Sequence, residues 1–196
     1  MKKWLIPIIV IAVIGFWAFS KATGFYNKAI VLKEDATGQW SKVESAYQRR
    51  ADLIPNLVAT VKGYAEHEKG TLEAVIKARA AATQTKIDPS NITPEQLAKF
   101  QQAQQGLSGA LSRLLVSVER YPELKANQNF LELQSQLEGT ENRIKVERDR
   151  FNDKVKEYNK FIKVFPNNFF AGWFKMKEMG YFKADAGSEK APKVQF

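Results

Sequence analysis

The chain has 196 residues, with 30 Lys and Arg against 21 Asp and Glu, a formal net charge of +9, one histidine and no cysteine. Zero cysteines exclude disulfides and thiolate metal sites, and a lone histidine removes Ser-His-Asp and Cys-His mechanisms in practice. Acids and bases interleave along most of the sequence, as on solvated helix faces, and no basic cluster sits among stacking aromatics, so no nucleic-acid partner is expected.

The first element is the uncharged run Trp4 to Ser20 (WLIPIIVIAVIGFWAFS), set between Lys2-Lys3 and Lys21. At about 1.5 Å per helical residue it reaches about 25 Å, the lower end of what a bilayer core requires. It reads as a basic tail at 1–3 and a transmembrane anchor at 4–21, with Trp4, Leu5, Ile8, Ile9, Val10, Phe16 and Trp17 meeting lipid. Trp4 and Trp17 suit opposite interfaces. A cleaved signal peptide has a similar build, with Ser20-Lys21-Ala22 as its cleavage site, although the apolar run is long for one. The amino terminus, Lys2 and Lys3 nearly balance Lys21, Lys28 and Lys33 under the positive-inside rule. A basic cluster packed against a short apolar run has the form of an export signal, which favours the inner membrane of a bacterium with the bulk of the chain on the periplasmic side.

From Ala22 onward the periodicity is helical. Phe25-Tyr26, Ile30, Leu32, Trp40, Val43 and Tyr47 recur at spacings of three and four, one apolar face. A second helix is expected to start at Leu53 to Pro55, with Asp52 as its cap and the proline in its first turn, and to run to Ala82. The stretch Lys86 to Thr93 is a loop turning at Asp88-Pro89-Ser90. Thr93-Pro94-Glu95-Gln96 predicts a capping box opening a third helix that stops before Pro122. Phe130, Leu133, Leu137, Thr140, Ile144, Phe151, Val155, Tyr158, Ile162 and Phe165 mark a fourth, very long helix, with Glu147 or Arg148 as the polar interruption of its apolar rhythm. Such a helix needs partners along its length. Long helices with short loops predict an all-α fold, the anchor continuing into an up-and-down antiparallel four-helix bundle over 22–166.

The segment 167–183 is dense in aromatics: Phe169, Phe170, Trp173 and Phe174 stand beside Lys175 and Lys177. One reading folds this short helix onto the bundle end. The other lays it in a lipid headgroup boundary or on a partner surface, which aromatic and lysine side chains together suit. Residues 184–196, rich in Gly, Ser, Lys and Pro, read as a disordered tail.

No phosphate loop, nucleophile elbow or zinc helix motif is present. His67 lies between Glu66 and Glu68, three neighbours that point about 100° apart on a helix and cannot share one metal ion. Arg49, Arg50, Asp52, Asn56, Glu141, Asn142 and Arg143 form the one polar cluster of interest. Its expected role is capping and bracing between helices, not catalysis.

At these residues the sequence resembles the LemA family. The resemblance rests on Arg49 to Val58 (RRADLIPNLV), Tyr121 to Asn127 (YPELKAN) with Asn129-Phe130-Leu131, and Thr140 to Ile144 (TENRI). Val61 to Ala65, His67-Glu68, Tyr158-Asn159 and Phe165-Pro166 extend it over Tyr26 to about Phe182, with Phe151-Asn152 where Tyr-Asn is usual. It implies a membrane segment and a long antiparallel bundle, and brings no catalytic residues. A magnetosome-membrane protein is similar to the family, which implies membrane organisation. Taken together, the expectation is a non-enzymatic membrane-anchored scaffold with no cofactor and no small-molecule substrate. Its partners are membrane lipid, envelope proteins and other copies of itself; the alternative is a lipid-binding protein that remodels membrane through the aromatic segment.

Overall fold

The computed structural model describes residues 4–183. The tails expected at 1–3 and 184–196 lie outside the described residues. Helix α1 runs unbroken over Leu5–Lys62, 58 residues or about 87 Å. After a 3-10 turn at Glu66–Glu68 come α2 (Lys69–Gln84) and α3 (Pro94–Val118), then the one-turn α4 (Pro122–Lys125). The long α5 (Gln128–Lys163) and the short α6 (Asn167–Trp173) follow, and no strand occurs among the described residues.

The expected helix start at Leu53–Pro55 is corrected by the structure. Pro55 lies inside α1, and Asp52 caps nothing: its Oδ1 accepts from Gln48 Nε2 at 2.7 Å on the exposed side. A proline removes the amide that would bond the carbonyl four residues back. That carbonyl, on Ala51, accepts instead from Arg79 Nε of α2 at 2.7 Å, so the helix continues. The break falls later, at Gly63–Glu68. Other local signals work as read. Thr93 and Gln96 form the reciprocal capping box of α3, and Asp88 Oδ1 accepts from the Ser90 amide at 2.9 Å in the preceding loop. Asn127 caps α5 through the Phe130 amide at 3.1 Å.

Residue pairs give the topology. Phe25 meets Phe161 and Arg50 meets Glu141, so α1 and α5 are antiparallel. Ala82 meets Gln104 and Glu68 meets Arg120, so α2 and α3 are antiparallel too. Trp40 and Tyr47 both pack on Phe100, with Arg50 reaching Gln104 and Ser108, so α1 and α3 run together. The bundle is up-down-up-down.

Its core has two parts. Near the anchor lies an aromatic-rich cluster around Phe25, Trp40, Tyr47, Phe100, Phe151 and Tyr158. The distal cluster is mainly aliphatic, around Ile54, Leu57, Val61, Leu107, Leu114 and Leu137. Arg50 stands where they meet.

The chain does not end its structure at α6. Residues 174–183 are not helical, as the shorter α6 leaves them, and run back along α5 as an extended strap. Side-chain amides hold it as a neighbouring strand would. Asn159 accepts from the Met179 amide and donates to its carbonyl, both at 2.9 Å. Asn152 does the same to Phe182 at 2.9 and 3.0 Å, and Gln101 of α3 to Lys183 at 3.3 and 2.8 Å. Met179 and Phe182 are buried, the latter ring stacked on Trp40 at 6.0 Å. Gly180 donates to the Ile92 carbonyl at 3.1 Å, and a Cβ there would stand 2.9 Å from Pro94 Cα, so only glycine fits.

Candidate functional site

The apolar first stretch of α1, residues 5–21, is exposed throughout. Trp4, Leu5, Ile8, Ile9, Val10, Phe16 and Trp17 are all exposed, and the most apolar 18-residue window has a mean hydropathy of 2.1. By length and composition this helix can cross a membrane. The same helix then enters the core at Phe25, so the apolar segment and the bundle are joined by helix and not by a flexible linker.

Helix α6 lies against the end of that segment. Phe170 turns inward, 5.6 Å from the Phe25 ring, while Phe174 is still 37% exposed, 6.2 Å from Phe25 and 5.1 Å from Tyr26. Phe169 and Trp173 turn outward and are 68% and 70% exposed; Phe165, just before the helix, is 86% exposed. An apolar groove opens on each side of α6. One, of about 740 Å³, is walled by Phe170, Trp173 and Phe174 and floored by α1 from Gly15 to Asn27. The other, of about 1000 Å³, lies between Trp17, Phe25, Phe161, Phe165 and Phe169. Part of the aromatic segment therefore packs against Phe25, and Phe169 and Trp173 face outward beside the apolar end of α1.

The end of α6 carries a local strain. The Met176 amide donates to the Ala171 carbonyl at 2.9 Å and the Lys175 amide to Gly172 at 3.2 Å, the Schellman pattern. That pattern puts Lys175 at φ 53°, a left-handed position usually filled by glycine and costing a lysine about 1 kcal/mol. Lys175 and Lys177 are both exposed, on the strap just after the aromatic face.

Of the predicted polar cluster, the structure brings together Arg50 and Glu141. Arg50 is 2% exposed; Nη1 donates to Glu141 Oε2 at 2.8 Å and to Ser108 Oγ at 2.9 Å, Nη2 to Gln104 Oε1 at 2.7 Å. Its ring neighbour is Tyr47, 5.1 Å away. Arg49, Asp52, Asn56, Asn142 and Arg143 are exposed and stand outside this network. The buried members that sequence reasoning passed over are Gln39 and Gln104, and Glu147, read there only as a polar interruption, is buried as well. Glu147 Oε2 accepts from Gln39 Nε2 at 2.6 Å, and Oε1 pairs with Arg150 at 3.2 Å. Asn152 and Asn159 were legible only as a repeat: an aromatic followed by asparagine, twice, seven residues apart, which places both amides on one face. The Gln39–Glu147 pair and the two asparagines are closed braces, whereas Arg50, Glu141 and Arg148 line a cavity of about 320 Å³ with Tyr47, Gln104 and Ser108, and the buried Arg50 Nε has no hydrogen-bond partner.

His67 is exposed, while its neighbour Glu68 accepts from Arg120 Nη2 at 2.7 Å and Tyr121 Oη at 3.1 Å. Among the described residues no three His, Cys, Asp or Glu side chains group as metal ligands would.

An apolar helix running into an up-and-down bundle, with an aromatic collar at their junction, defines a helical protein of single-pass membrane type. The chain belongs to the LemA family, whose model matches residues 39–196. It is 28% identical over 174 residues to magnetosome protein MamQ of Magnetospirillum gryphiswaldense, covering 80% of this chain and 64% of that protein. It is also 27% identical over 196 residues to magnetosome protein MamQ 1 of Paramagnetospirillum magneticum, covering 91% of this chain and 71% of that one. The chain thus spans just under two thirds of the first relative's length.

Proposed function

We propose that this protein is a non-enzymatic, membrane-anchored scaffold of the bacterial envelope, seated on the bilayer by two contacts. One is the apolar N-terminal stretch of α1 and the other is the outer edge of α6. The observation that carries this is the exposure of Phe165, Phe169 and Trp173 beside the end of the anchor, along grooves floored by residues 15–28. A lone spanning helix leaves a bundle free to tilt and to rotate about its axis. An interfacial contact off that axis fixes both. Confinement to two dimensions raises local concentration, so weak contacts between bundle faces and envelope proteins, or other copies of the chain, become populated. LemA membership and the likeness to magnetosome proteins support a membrane-associated role. In this reading the bundle lies on the periplasmic side, which protease accessibility in spheroplasts tests.

The seat itself is tested with single-cysteine reporters, since the chain has no cysteine of its own. Trp173→Cys and Phe169→Cys, labelled with a fluorophore in lipid nanodiscs, are expected to be quenched by nitroxide lipids at the depth of the headgroup boundary. Val116→Cys, exposed at the distal end of α3, is expected to remain in water. A water-exposed label at 173 sinks the seat. A second reading, in which α6 wedges into one leaflet and bends it, rests on the same aromatics. It requires vesicles to change curvature with the full chain and to stop doing so with Trp173→Ala.

A further inference from the structure

Directly above the seat, a cavity of about 370 Å³ opens between α1, the 85–93 loop and the start of the strap. Lys33, Lys175 and Lys177 line it, with Tyr26 and Asn91. Two carboxylates are near. Glu178 is engaged by Lys163 Nζ at 2.6 Å; Asp88 accepts from the Ser90 amide and hydroxyl at 2.9 and 2.7 Å, keeps its charge and faces Lys33, so three lysines stand against two carboxylates with Lys163 as a further cation. Positive charge remains in excess around the opening. The cavity and the 740 Å³ groove share Tyr26 and Phe174 as a common wall, so a basic chamber stands on an apolar one.

The vertical spacing matches a phospholipid. Headgroup zones add roughly 5–7 Å to each side of a hydrocarbon core of about 30 Å. Counted from Leu5, a core of about 30 Å takes about 20 residues, to Gly24, with Lys21 snorkelling to its edge; the headgroup zone then reaches about Lys28 to Ala29, beside the cavity's lower wall at Tyr26, Ala29 and Ile30. The strap is fixed there: Tyr158 Oη donates to the Lys177 carbonyl at 3.1 Å, and Asn159 clamps Met179. Lys175 holds a conformation that glycine fills at less cost, and its ammonium is what glycine would lack.

We infer that this two-chamber site binds one anionic glycerophospholipid, its phosphate among Lys33, Lys175 and Lys177 and an acyl chain in the groove beside Phe170 and Trp173. The inference rests on the seat proposed above and adds a specific ligand to it. A lipid held in this way would pin the strap to the anchor and make the bundle's orientation depend on anionic lipid.

Native mass spectrometry of the full chain, released from micelles doped with equal phosphatidylglycerol and phosphatidylcholine, tests it. One phosphatidylglycerol per chain is expected to be retained, about tenfold over phosphatidylcholine. Lys33→Gln with Lys177→Gln is expected to abolish the preference, while Lys62→Gln with Lys69→Gln, exposed at the distal end of the bundle and outside the cavity and both grooves, leaves it. Lys175→Gly separates ligand from fold: retention falls while the unfolding midpoint rises. Equal retention of the two lipids, or a Lys175→Gly chain that keeps its preference, overturns the site. Displacement of the lipid by millimolar inorganic phosphate overturns it as well, since a bare anion would then suffice. Equal retention with Trp173 still at the headgroup boundary leaves the seat standing without the lipid site; a water-exposed Trp173 removes both.

Discussion

Arg79 Nε donates to the Ala51 carbonyl at 2.7 Å, and Ala51 is the residue whose helical partner Pro55 cannot be. The two facts depend on each other. Without the guanidinium, a carbonyl in the middle of α1 would lose its only strong donor, and without the proline it would not need one. Arg79→Ala should cost about 2 kcal/mol, as a lost hydrogen bond from a charged donor does. In a Pro55→Ala background, where the amide returns, the same change should cost well under about 1 kcal/mol. Unfolding of the four chains of this cycle in micelles gives the coupling. Equal costs in both backgrounds would mean that Arg79 acts through something else.

Arg50 ties α1 to α3 and α5 at a single level, between the aromatic and the aliphatic parts of the core. Its geometry needs a fork. A lysine ammonium on its single flexible stem does not span Glu141, Ser108 and Gln104 as the planar fork does, so Arg50→Lys should cost about 2–3 kcal/mol. Glu141 is 57% exposed along its side chain, and the amide of Glu141→Gln still accepts; that change should cost less than about 1 kcal/mol after solvent screening. A Glu141→Gln chain that folds normally but loses a measurable activity would point to chemistry and away from a scaffold.

Asn159 and Asn152 each make a two-way pair with the strap, so each alanine substitution removes two neutral hydrogen bonds. The expected loss is about 2 kcal/mol apiece, and it should be local to the strap. Hydrogen exchange reads it directly: the Met179 and Phe182 amides should speed up while those of α1 and α5 keep their protection. Gly180→Ala should do the same by collision with Pro94. Uniform loss of protection across the bundle would show that the strap is part of one cooperative unit.

Much of the fold is written locally. The capping box at Thr93 and Gln96 and the turn at Asp88 need only neighbours in sequence, and the apolar rhythm of α5 runs along the helix with Glu147 as its buried polar interruption. Pro55 misleads because the group that rescues it, Arg79, lies 28 residues away. The strap escapes for a related reason. An asparagine on a polar helix position looks solvated, and nothing nearby says that an extended segment 20 or 30 residues on will use both of its amide atoms. At the seat, composition marks Phe169 and Trp173 but not their outward direction, which follows from Phe170 and Phe174 stacking on Phe25. Lys175 is invisible by the usual rule, which looks for glycine where a helix ends in this way.

Tyr158 makes the strap sensitive to alkali. It is buried against the core, and its hydroxyl donates to the Lys177 carbonyl at 3.1 Å. Burial disfavours the phenolate and pushes the group up from its ordinary value of 10.0. With the folded value above the unfolded one, the stabilisation is fully present below about 10 and is lost as pH rises through the raised value. At pH 7, Tyr158→Phe should cost about 1 kcal/mol, one neutral hydrogen bond. Between pH 9 and 12 the native chain should lose stability faster than the phenylalanine variant, and their unfolding midpoints should converge. Tyr121, also raised by burial and by its bond to Glu68, titrates in both chains and cancels from the difference. Parallel curves across that range would mean that the Tyr158 hydroxyl does not hold the strap.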